Sequence, residues 1–395
     1  MTATADLPSL RGRVAIVGVA DDAAPSGQLD DYGIALEMRI VAEALADAGI
    51  APRDVDGLAI AGGPMSPLLI GERLGLQPRW VDSTHVGGSS FELHVQHAAL
   101  ALSMGLCNVV VVMYVNTPKG DRQRSGVMRG DASAYGPEHF GFDAPTGILM
   151  PLGPYALAAQ RHMSVFGTTE SQLAEIVVSS RTYAAQNPRA RKQELLTVDD
   201  VLSKPTICGP LRSHDCCLIT DGAAAIVMTR ADRARDARAD AAYVLGAASA
   251  QTHLLVSGMP DLTVTPGAKS GPDAFAEAGI TTDDVDVLQT YDSFTITVLL
   301  ALEDLGFCKK GEGGPFVAEH ALRPGGALPT NTSGGGLSYT HPGMFGLFLL
   351  VEAARQLRGQ SSGIVIPDVE VAVAHGCGGV LSSTGTIVLG REETL

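Results

Sequence analysis

The chain has 395 residues, 45% of them hydrophobic and 18% charged, a composition that allows a large buried core and argues against global disorder. Its formal net charge of −15 argues against nucleic acid and anionic membrane surfaces as partners, because both require a basic face. The six cysteines show no zinc-like spacing, the chain does not open on a signal sequence, and no apolar stretch reaches the ~18 residues of a membrane span, so we expect a cytoplasmic protein.

Strand and helix patterns alternate over the first 115 residues. The predicted strands cover residues 14–20, 57–61, 80–82 and 108–115, and the predicted helices cover residues 35–48, 66–74 and 91–104. The run 108–115 is apolar and rich in β-branched residues, which is typical of a strand covered on both sheet faces. This alternation predicts an α/β fold.

The pattern changes at residue 116 and returns near residue 206. Glycine, proline and charged residues become frequent, and two clear helices are predicted at 155–166 and 170–187. We interpret residues 116–205 as an insertion that forms a lid over a binding site. The earlier pattern then resumes, with predicted strands at 221–229 and 241–248, helices at 295–305 and 344–357, and a closing hairpin at 369–389.

A fifteen-residue segment occurs twice, at residues 44–58 and 274–288. Nine positions are identical at a constant offset of 230. Each copy reads as a helix end, a glycine stop, a short acidic turn and a buried strand. Chance similarity of Ala-rich helix ends is the alternative, but the match continues into the strand. We therefore predict one half-molecule fold used twice, with residues 1–115 and 206–240 in the first half and residues 241–395 in the second.

Two glycine-rich loops could present backbone amides to a negatively charged oxygen. The first joins a predicted strand to a long helix, where free N–H groups and the helix dipole favour an anion, and its candidates are Gly88 and Ser89. A capped helix without a ligand is the alternative. The second loop is a predicted bend at the end of a strand, with Gly376 and Cys377 as candidates. The Cys377 thiol could be a base, a nucleophile or a buried turn residue.

Two further loops carry acid–base candidates. Tyr291 and Asp292 follow the strand of the second repeat copy, and polar groups at the carboxyl edge of a buried strand usually face a crevice. A later loop contains Gly335 within three consecutive glycines, which indicate close approach of a ligand or another backbone, and then Tyr339 and His341. His341 precedes a proline at a helix start, a fixed position that suits a general acid, a general base or an oxyanion donor. A buried, hydrogen-bonded Tyr291 and a solvent-exposed His341 are the non-catalytic alternatives.

The sequence lacks nucleotide-cofactor and metal motifs. No G-x-G-x-x-G opens a helix after a strand and no G-K-[ST] occurs, so NAD and ATP are disfavoured. His94 and His97 share a helix face, but the sequence suggests no third ligand near them. We therefore expect neither a metal nor a covalently bound cofactor.

Four motifs together resemble the thiolase superfamily, over nearly the whole chain. The resemblance is carried by residues 221–224 (DGAA), 340–342 (THP) and 376–379 (GCGG), and by residues 291–294 (YDSF) in the place of the N-E-A-F motif of ordinary thiolases. The pattern is most similar to the bacterial lipid-transfer-protein and sterol-carrier-protein-type branch. The resemblance implies a thiolase fold, with two pseudo-symmetric βαβαβαββ halves in a layered α/β/α/β/α body and an inserted lid.

One departure from the family concerns the nucleophile. Thiolases carry a reactive cysteine at the N-terminus of the helix predicted at 91–104, and that position falls on Gly88 or Ser89 in this chain. Neither residue supplies a thiolate, and Cys107 follows the far end of the helix. The resemblance to aldolases of this branch instead implies retro-aldol cleavage of a β-hydroxyacyl-CoA of the steroid or lipid side-chain type, without an acyl-enzyme.

The resemblance also implies roles for the candidate residues. Tyr291 and Tyr339 fall where the catalytic tyrosines of these aldolases lie, so a tyrosinate would take the β-hydroxyl proton. Backbone amides near Gly88 and Gly376, with His341, would hold the thioester enolate. Coenzyme A then enters as part of the substrate.

Two other functions stay open at this point. One is a non-catalytic subunit that binds acyl-CoA or lipid and has lost the family's cysteine. The other is an acetyl-CoA acyltransferase whose nucleophile is Cys377.

The resemblance implies two protein partners as well. Family members usually form homodimers through the strand before the nucleophile loop, here around residues 80–83. Aldolases of this branch also act with a small protein that combines a zinc ribbon and an OB fold. The sequence itself shows neither interface.

Overall fold

The structure is a computed structural model that describes residues 9–63, 65–125, 143–148, 150–238 and 240–395. Its strands are β1 Val14–Asp22, β2 Gly57–Ile60, β3 Trp80–Asp82, β4 Val109–Asn116, β5 Thr206–Cys208, β6 Leu211–Arg212, β7 Gly222–Arg230, β8 Ala242–Gln251, β9 Val287–Thr290, β10 Val371–Gly378 and β11 Ser383–Gly390. Its helices are α1 Gly33–Ala48, α2 Ser66–Leu74, α3 Ser90–Ser103, α4 Pro118–Ser125, α5 Leu152–Phe166, α6 Glu170–Ala184, α7 Val198–Leu202, α8 Ala231–Ala237, α9 Gly267–Ala278, α10 Thr295–Asp304, α11 Gly313–Ala318 and α12 Gly346–Leu357.

Within the described ranges, nine strands form one mixed sheet in the order β3-β2-β4-β7-β1-β8-β11-β10-β9. The join between β1 and β8 consists of two residue pairs, Ala15 with Tyr243 and Ile16 with Ala242. By contrast, β1 pairs with β7, and β8 with β11, over almost their whole lengths. The sheet therefore consists of two halves joined by one short pairing between β1 and β8. Five strands, β3 to β1 in the sheet order, lie on one side of this pairing, and four strands, β8 to β9, lie on the other.

Helices cover the two halves in layers. α1 packs on β1, β7 and β4, and α9 packs on β8 and β11, so each lies on its own half. α3 and α12 contact each other and strands of both halves, which places them in a central layer. α1 and α3 both contact β4, and the first six residues of this strand are buried, as its unbroken apolar run requires. This is the predicted layered α/β arrangement.

The two copies of the repeat make the same contacts at the helix–strand crossing. A Cβ added at Gly18 would lie 2.2 Å from the Ala44 carbonyl oxygen, and one added at Gly246 would lie 2.1 Å from the Ala274 carbonyl oxygen. Each strand therefore needs glycine where its helix crosses it, because any side chain would displace the helix backbone. The matching positions show that the same packing solution occurs twice.

The acidic residues of the repeat also have matching roles. Asp56 accepts hydrogen bonds from the Asn108 and Val109 amides, at the start of β4. Asp286 accepts the corresponding bonds from the Glu370 and Val371 amides, at the start of β10. Each carboxylate thus fixes the beginning of the strand next to its own, which explains why the identity between the copies extends past the helix end.

Some predicted boundaries differ from the structure. Gly376 and Cys377 lie within β10 and not in a bend after it, because the ladder with β11 continues to Gly378. The closing helix begins at Gly346, two residues later than predicted. Part of the predicted lid, residues 126–142, lies outside the described residues. No helix in the described part of the chain is long and apolar enough to cross a membrane.

Candidate active site

The two halves meet at the N-terminus of α3. A 3₁₀ turn at Gly87–Ser89 leads into this helix. A Cβ added at Gly88 would lie 2.2 Å from Cε2 of Tyr291 and 2.4 Å from the Cys377 carbonyl oxygen. The Tyr291 ring therefore occupies the space into which a side chain at position 88 would project. The first half contributes the helix end, and the second half contributes the ring that covers it.

Tyr291 and His341 form a hydrogen-bonded pair in front of this helix end. The Tyr291 hydroxyl lies 3.0 Å from Nε2 of His341, and the two rings meet edge to face at 88°. The backbone fixes the imidazole, because the His341 amide donates to Oγ1 of Thr220 at 2.8 Å and the Thr220 amide donates back to the His341 carbonyl. The pair joins a phenol and an imidazole that can exchange a proton.

Burial sets the protonation state of both members of the pair. Only 4% of Tyr291 and 9% of His341 is exposed. Burial lowers the pKa of His341 to about 4, although its interactions with backbone groups act in the opposite direction. Burial, followed by the neighbouring Cys217 and Tyr155, raises the pKa of Tyr291 well above its usual value. At neutral pH the imidazole is therefore an uncharged base and the phenol keeps its proton.

The structure does not bring Tyr339 to this pair. Its hydroxyl donates to Oδ2 of Asp21 at 2.5 Å, and Arg189 lies over its ring at 5.6 Å. Asp21 is also ion-paired with Arg189 and Arg355, so the phenol belongs to a separate buried charge cluster. Sequence position alone could not show this, because Tyr339 precedes His341 by two residues and faces another way.

Asp292 and Gly335 hold the loop that carries His341. The Asp292 carboxylate accepts hydrogen bonds from the Gly336 and Leu337 amides at 2.7 and 3.1 Å. A Cβ added at Gly335, where φ is +61°, would lie 2.2 Å from the same carboxylate. Burial raises the pKa of Asp292 to about 7, against the effect of these amides. The predicted substrate ligands Asp292 and Gly335 thus make their contacts within the protein.

The remaining predicted residues line the seam between the halves. The Ser89 hydroxyl donates to Ser383 of β11 at 2.9 Å. Gly376 pairs with Gly385 in the β10–β11 ladder. Burial raises the pKa of Cys377 to about 12, so its sulfur stays a thiol at neutral pH. The Cys377 carbonyl oxygen faces the helix end, 2.4 Å from the position of a Cβ added at Gly88.

Two residues of the site were not predicted from the sequence. Tyr155 of α5 stacks on Phe294 with ring centroids 4.3 Å apart, and its hydroxyl donates to the Gly379 carbonyl at 3.1 Å. Glu92, in the first turn of α3, is fully buried, and neither carboxyl oxygen has a hydrogen-bond partner. Burial raises the pKa of Glu92 to about 8. The available signal was the single acidic residue of an Ala-rich helix.

Metal-ligating side chains do not converge in the described residues: they contain no group of three His, Cys, Asp or Glu that could hold an ion. The chemistry that the arrangement itself can perform is proton transfer between a phenol and a neutral imidazole. Beside that pair, the first turn of α3 supplies N–H groups that lack partners within the helix and a favourable dipole for negative charge.

Comparison with known proteins places this chain in a family. The family model described as "Thiolase C-terminal domain-like" matches residues 248–391. The 17-hydroxy-3-oxo-4-pregnene-20-carboxyl-CoA lyase of Mycobacterium tuberculosis is 35% identical over 393 residues, with 93% of this chain and 97% of that protein covered. An acetyl-CoA acetyltransferase of Methanothermobacter thermautotrophicus is 31% identical over 362 residues, with 88% and 92% covered.

A solved structure agrees with these relatives. The Ltp2-ChsH2(DUF35) aldolase superposes with a TM-score of 0.87 at 31% identity, covering 97% of this chain and 99% of that one. The overall architecture is therefore the thiolase fold.

Proposed function

The chain belongs to the thiolase superfamily, and we propose that it cleaves the Cα–Cβ bond of a β-hydroxyacyl-CoA thioester by a retro-aldol reaction. The observation that carries this proposal is the Tyr291 ring against Gly88, with its hydroxyl on His341. The position that a nucleophilic cysteine would need is filled by an acid–base group. A steroid or related lipid side chain is the proposed acyl group, after the substrate named for the mycobacterial relative.

The first step removes the β-hydroxyl proton. Neutral His341 accepts the Tyr291 phenol proton at Nε2 while the phenol oxygen accepts the proton of the substrate hydroxyl. Because the two transfers are coupled, the buried site never holds a free tyrosinate, which its raised pKa would make costly. The hydroxyl oxygen becomes a carbonyl, the Cα–Cβ bond breaks, and its electron pair moves into the thioester as an enolate.

The second step stabilises and protonates the enolate. The amides of Gly88 and Ser89, in the 3₁₀ turn that leads into α3, have no carbonyl partner within the turn or the helix, and we assign them to the developing oxyanion. The proton held by His341 returns through Tyr291 to Cα. The products are a ketone or aldehyde and a shortened acyl-CoA, and both catalytic side chains recover their starting protonation states.

Acyl transfer through Cys377 fits this site less well. A thiolate is the reactive form of cysteine, and a pKa of about 12 leaves almost none at neutral pH. The neighbouring Tyr291 carries no positive charge that would lower the pKa of Cys377. The high pKa favours the lyase over the acyltransferase, although an acetyltransferase is among the relatives.

We also propose two protein partners and a location. The solved aldolase is named as a pair of components, Ltp2 and ChsH2(DUF35), and we propose a small partner of the second type for this chain. We further propose a homodimer through β3, an edge strand whose Val81 is 43% exposed. Coenzyme A enters with the substrate, and we propose that the protein acts in the cytoplasm.

The test is product analysis of the wild-type protein and of two tyrosine variants. The protein, alone and with the product of its neighbouring gene, is incubated with a panel of β-hydroxyacyl-CoA esters, and products are identified by mass spectrometry. Tyr291→Phe keeps the ring against Gly88 but loses the proton, so kcat should fall about 10²–10⁴-fold. Tyr243→Phe, a buried tyrosine at the β1–β8 join, is the matched control.

Three outcomes separate the alternatives. Cleavage that survives in Tyr291→Phe would refute the proposed mechanism. An acyl adduct trapped on Cys377 would identify an acyltransferase. Tight acyl-CoA binding without turnover, with or without the partner, would identify a binding subunit.

A further inference from the structure

Three cations gather at one place on this acidic chain. A Cβ added at Gly27 would lie 3.1 Å from Nζ of Lys119 and 3.0 Å from Cδ of Arg191, so these two side chains approach the same place. Lys192 follows Arg191 and is exposed. Burial, followed by the positive charges of Arg191 and Lys192, lowers the pKa of Lys119, against the opposing effect of Asp221. We call Lys119, Arg191 and Lys192 the basic triad.

No acidic side chain in the described residues forms a salt bridge with the basic triad. The Lys119 ammonium donates to the Ser26 carbonyl, and Arg191 donates to the Pro25 carbonyl at 3.3 Å. Asp221 lies nearby, but its carboxylate already accepts from the Lys119, Gly120 and Leu29 amides. Asp221, whose charge acts on Lys119, is thus one carboxylate near three cations, and the like charges of the triad repel one another, in a chain that carries a net charge of −15.

The basic triad lies beside the loop of the proposed catalytic histidine. The Arg191 and Lys192 amides donate to the Tyr339 and Ser338 carbonyls, both at 3.0 Å. Thr220 lies between the triad and His341. Its Cγ2 would lie 3.0 Å from the Cβ added at Gly27, and its Oγ1 accepts a hydrogen bond from the His341 amide at 2.8 Å. An anion held by the triad would thus sit one residue away from the acid–base pair.

We propose that the basic triad binds the phosphate groups of coenzyme A while the thioester reaches the Tyr291–His341 pair. The inference rests on the proposed function, because it assumes that the substrate is a CoA ester. Phosphates supply negative charge beyond that of the single Asp221 carboxylate, and partly exposed lysine and arginine side chains can donate several charge-assisted hydrogen bonds to them. The triad is then a binding site and takes no part in bond cleavage.

Binding of free coenzyme A to the full-length protein tests the proposal without requiring turnover. Titration calorimetry compares CoA, 3′-dephospho-CoA and pantetheine, with inorganic phosphate as a separate probe. In the triple variant Lys119→Gln, Arg191→Gln, Lys192→Gln, CoA should bind about tenfold more weakly, while pantetheine binding should not change. Raising ionic strength should weaken CoA binding to the wild type more than to the variant.

Two controls keep the result interpretable. Lys269→Gln removes an exposed cation that pairs with Asp273 on α9, and CoA should bind this variant as it binds the wild type. The single variant Lys192→Gln should fold as the wild type does, because the Lys192 ammonium has no hydrogen bond or ion pair within the described structure. It should still weaken CoA binding measurably.

Binding and cleavage measurements distinguish a wrong phosphate site from a wrong proposed function. Wild-type CoA affinity in the triple variant, equal losses for CoA and pantetheine, or no CoA binding by the wild type would each overturn the phosphate assignment. Inorganic phosphate that binds without competing with CoA would also overturn it. Salt-sensitive, triad-dependent CoA binding without cleavage of any β-hydroxyacyl-CoA would support the triad and refute the lyase.

Discussion

Gly88→Ala adds one methyl group where the two halves meet. The new Cβ would lie 2.2 Å from the Tyr291 ring and 2.4 Å from the Cys377 carbonyl oxygen, whereas ordinary contacts begin near 3.4 Å. The φ angle of Gly88 is not positive, so the backbone itself accepts alanine. The perturbation is therefore purely steric, and either the ring or the helix end must move by about 1 Å.

The size of the effect follows from this overlap. Overpacking of a tight core costs about 1–3 kcal/mol. With about 2.1 cal/mol/K of unfolding entropy per residue, a chain of 395 residues should lose about 1–4 °C in Tm. A displacement of about 1 Å in a reacting group costs about 100-fold in rate, so kcat should fall by that factor.

Calorimetric scans and product formation measure the two effects. Gly63→Ala is the matched control, because Gly63 is exposed, lacks a positive φ and has no atom within 4 Å of its added Cβ. Combining Gly88→Ala with Tyr291→Phe should give little further loss of kcat beyond Tyr291→Phe, since both changes disable one group. Wild-type Tm and kcat for Gly88→Ala would refute the claim that the ring fills this space.

Three other predictions concern the buried ionisable groups. Tyr339→Phe removes the donor to Asp21 and should lower the free energy of unfolding by about 1–3 kcal/mol in denaturant titration, while kcat falls less than in Tyr291→Phe; an equal fall in kcat would place Tyr339 in the chemistry. Because burial raises the pKa of Glu92 from 4.5 to about 8, the folded protein binds this proton more tightly than the unfolded chain, so the group's contribution to stability is full below about pH 4.5 and is lost progressively as pH rises to about 8. Glu92→Gln should remove that loss between about pH 4.5 and 8, and an unchanged stability profile would count against it. The pKa of His341 is lowered to about 4, so kcat/KM should hold to about pH 5 and fall as the base is protonated below it; a loss centred near pH 6.5 would contradict its burial.

Local signals made much of the fold predictable. α2 and β3 begin and end where the sequence places them, because Gly75 ends the helix in a left-handed conformation and a short apolar segment follows. The repeat was readable because its identical residues have roles that depend on residue type. Glycine ends each helix, and aspartate caps the next strand, in both copies.

Side-chain directions within the site could not be read in the same way. The five residues Gly335–Tyr339 form a single π turn, so neither helical nor strand periodicity says where Tyr339 points. Glu92 was missed because a carboxylate on a helix is normally solvated, and only the packing of α12 and β10 around it shows that it is buried. Tyr155 was missed because it arrives from the insertion, whose docking depends on tertiary contacts.

The contact between Gly88 and Tyr291 also restricts the order in which this lineage could have changed. The two residues lie in different halves of the molecule, 203 positions apart, yet a side chain at position 88 and the Tyr291 ring would need the same space. A cysteine at position 88 would leave no room for the tyrosine ring in its present place. An exchange of one group for the other therefore requires the glycine first or both changes together.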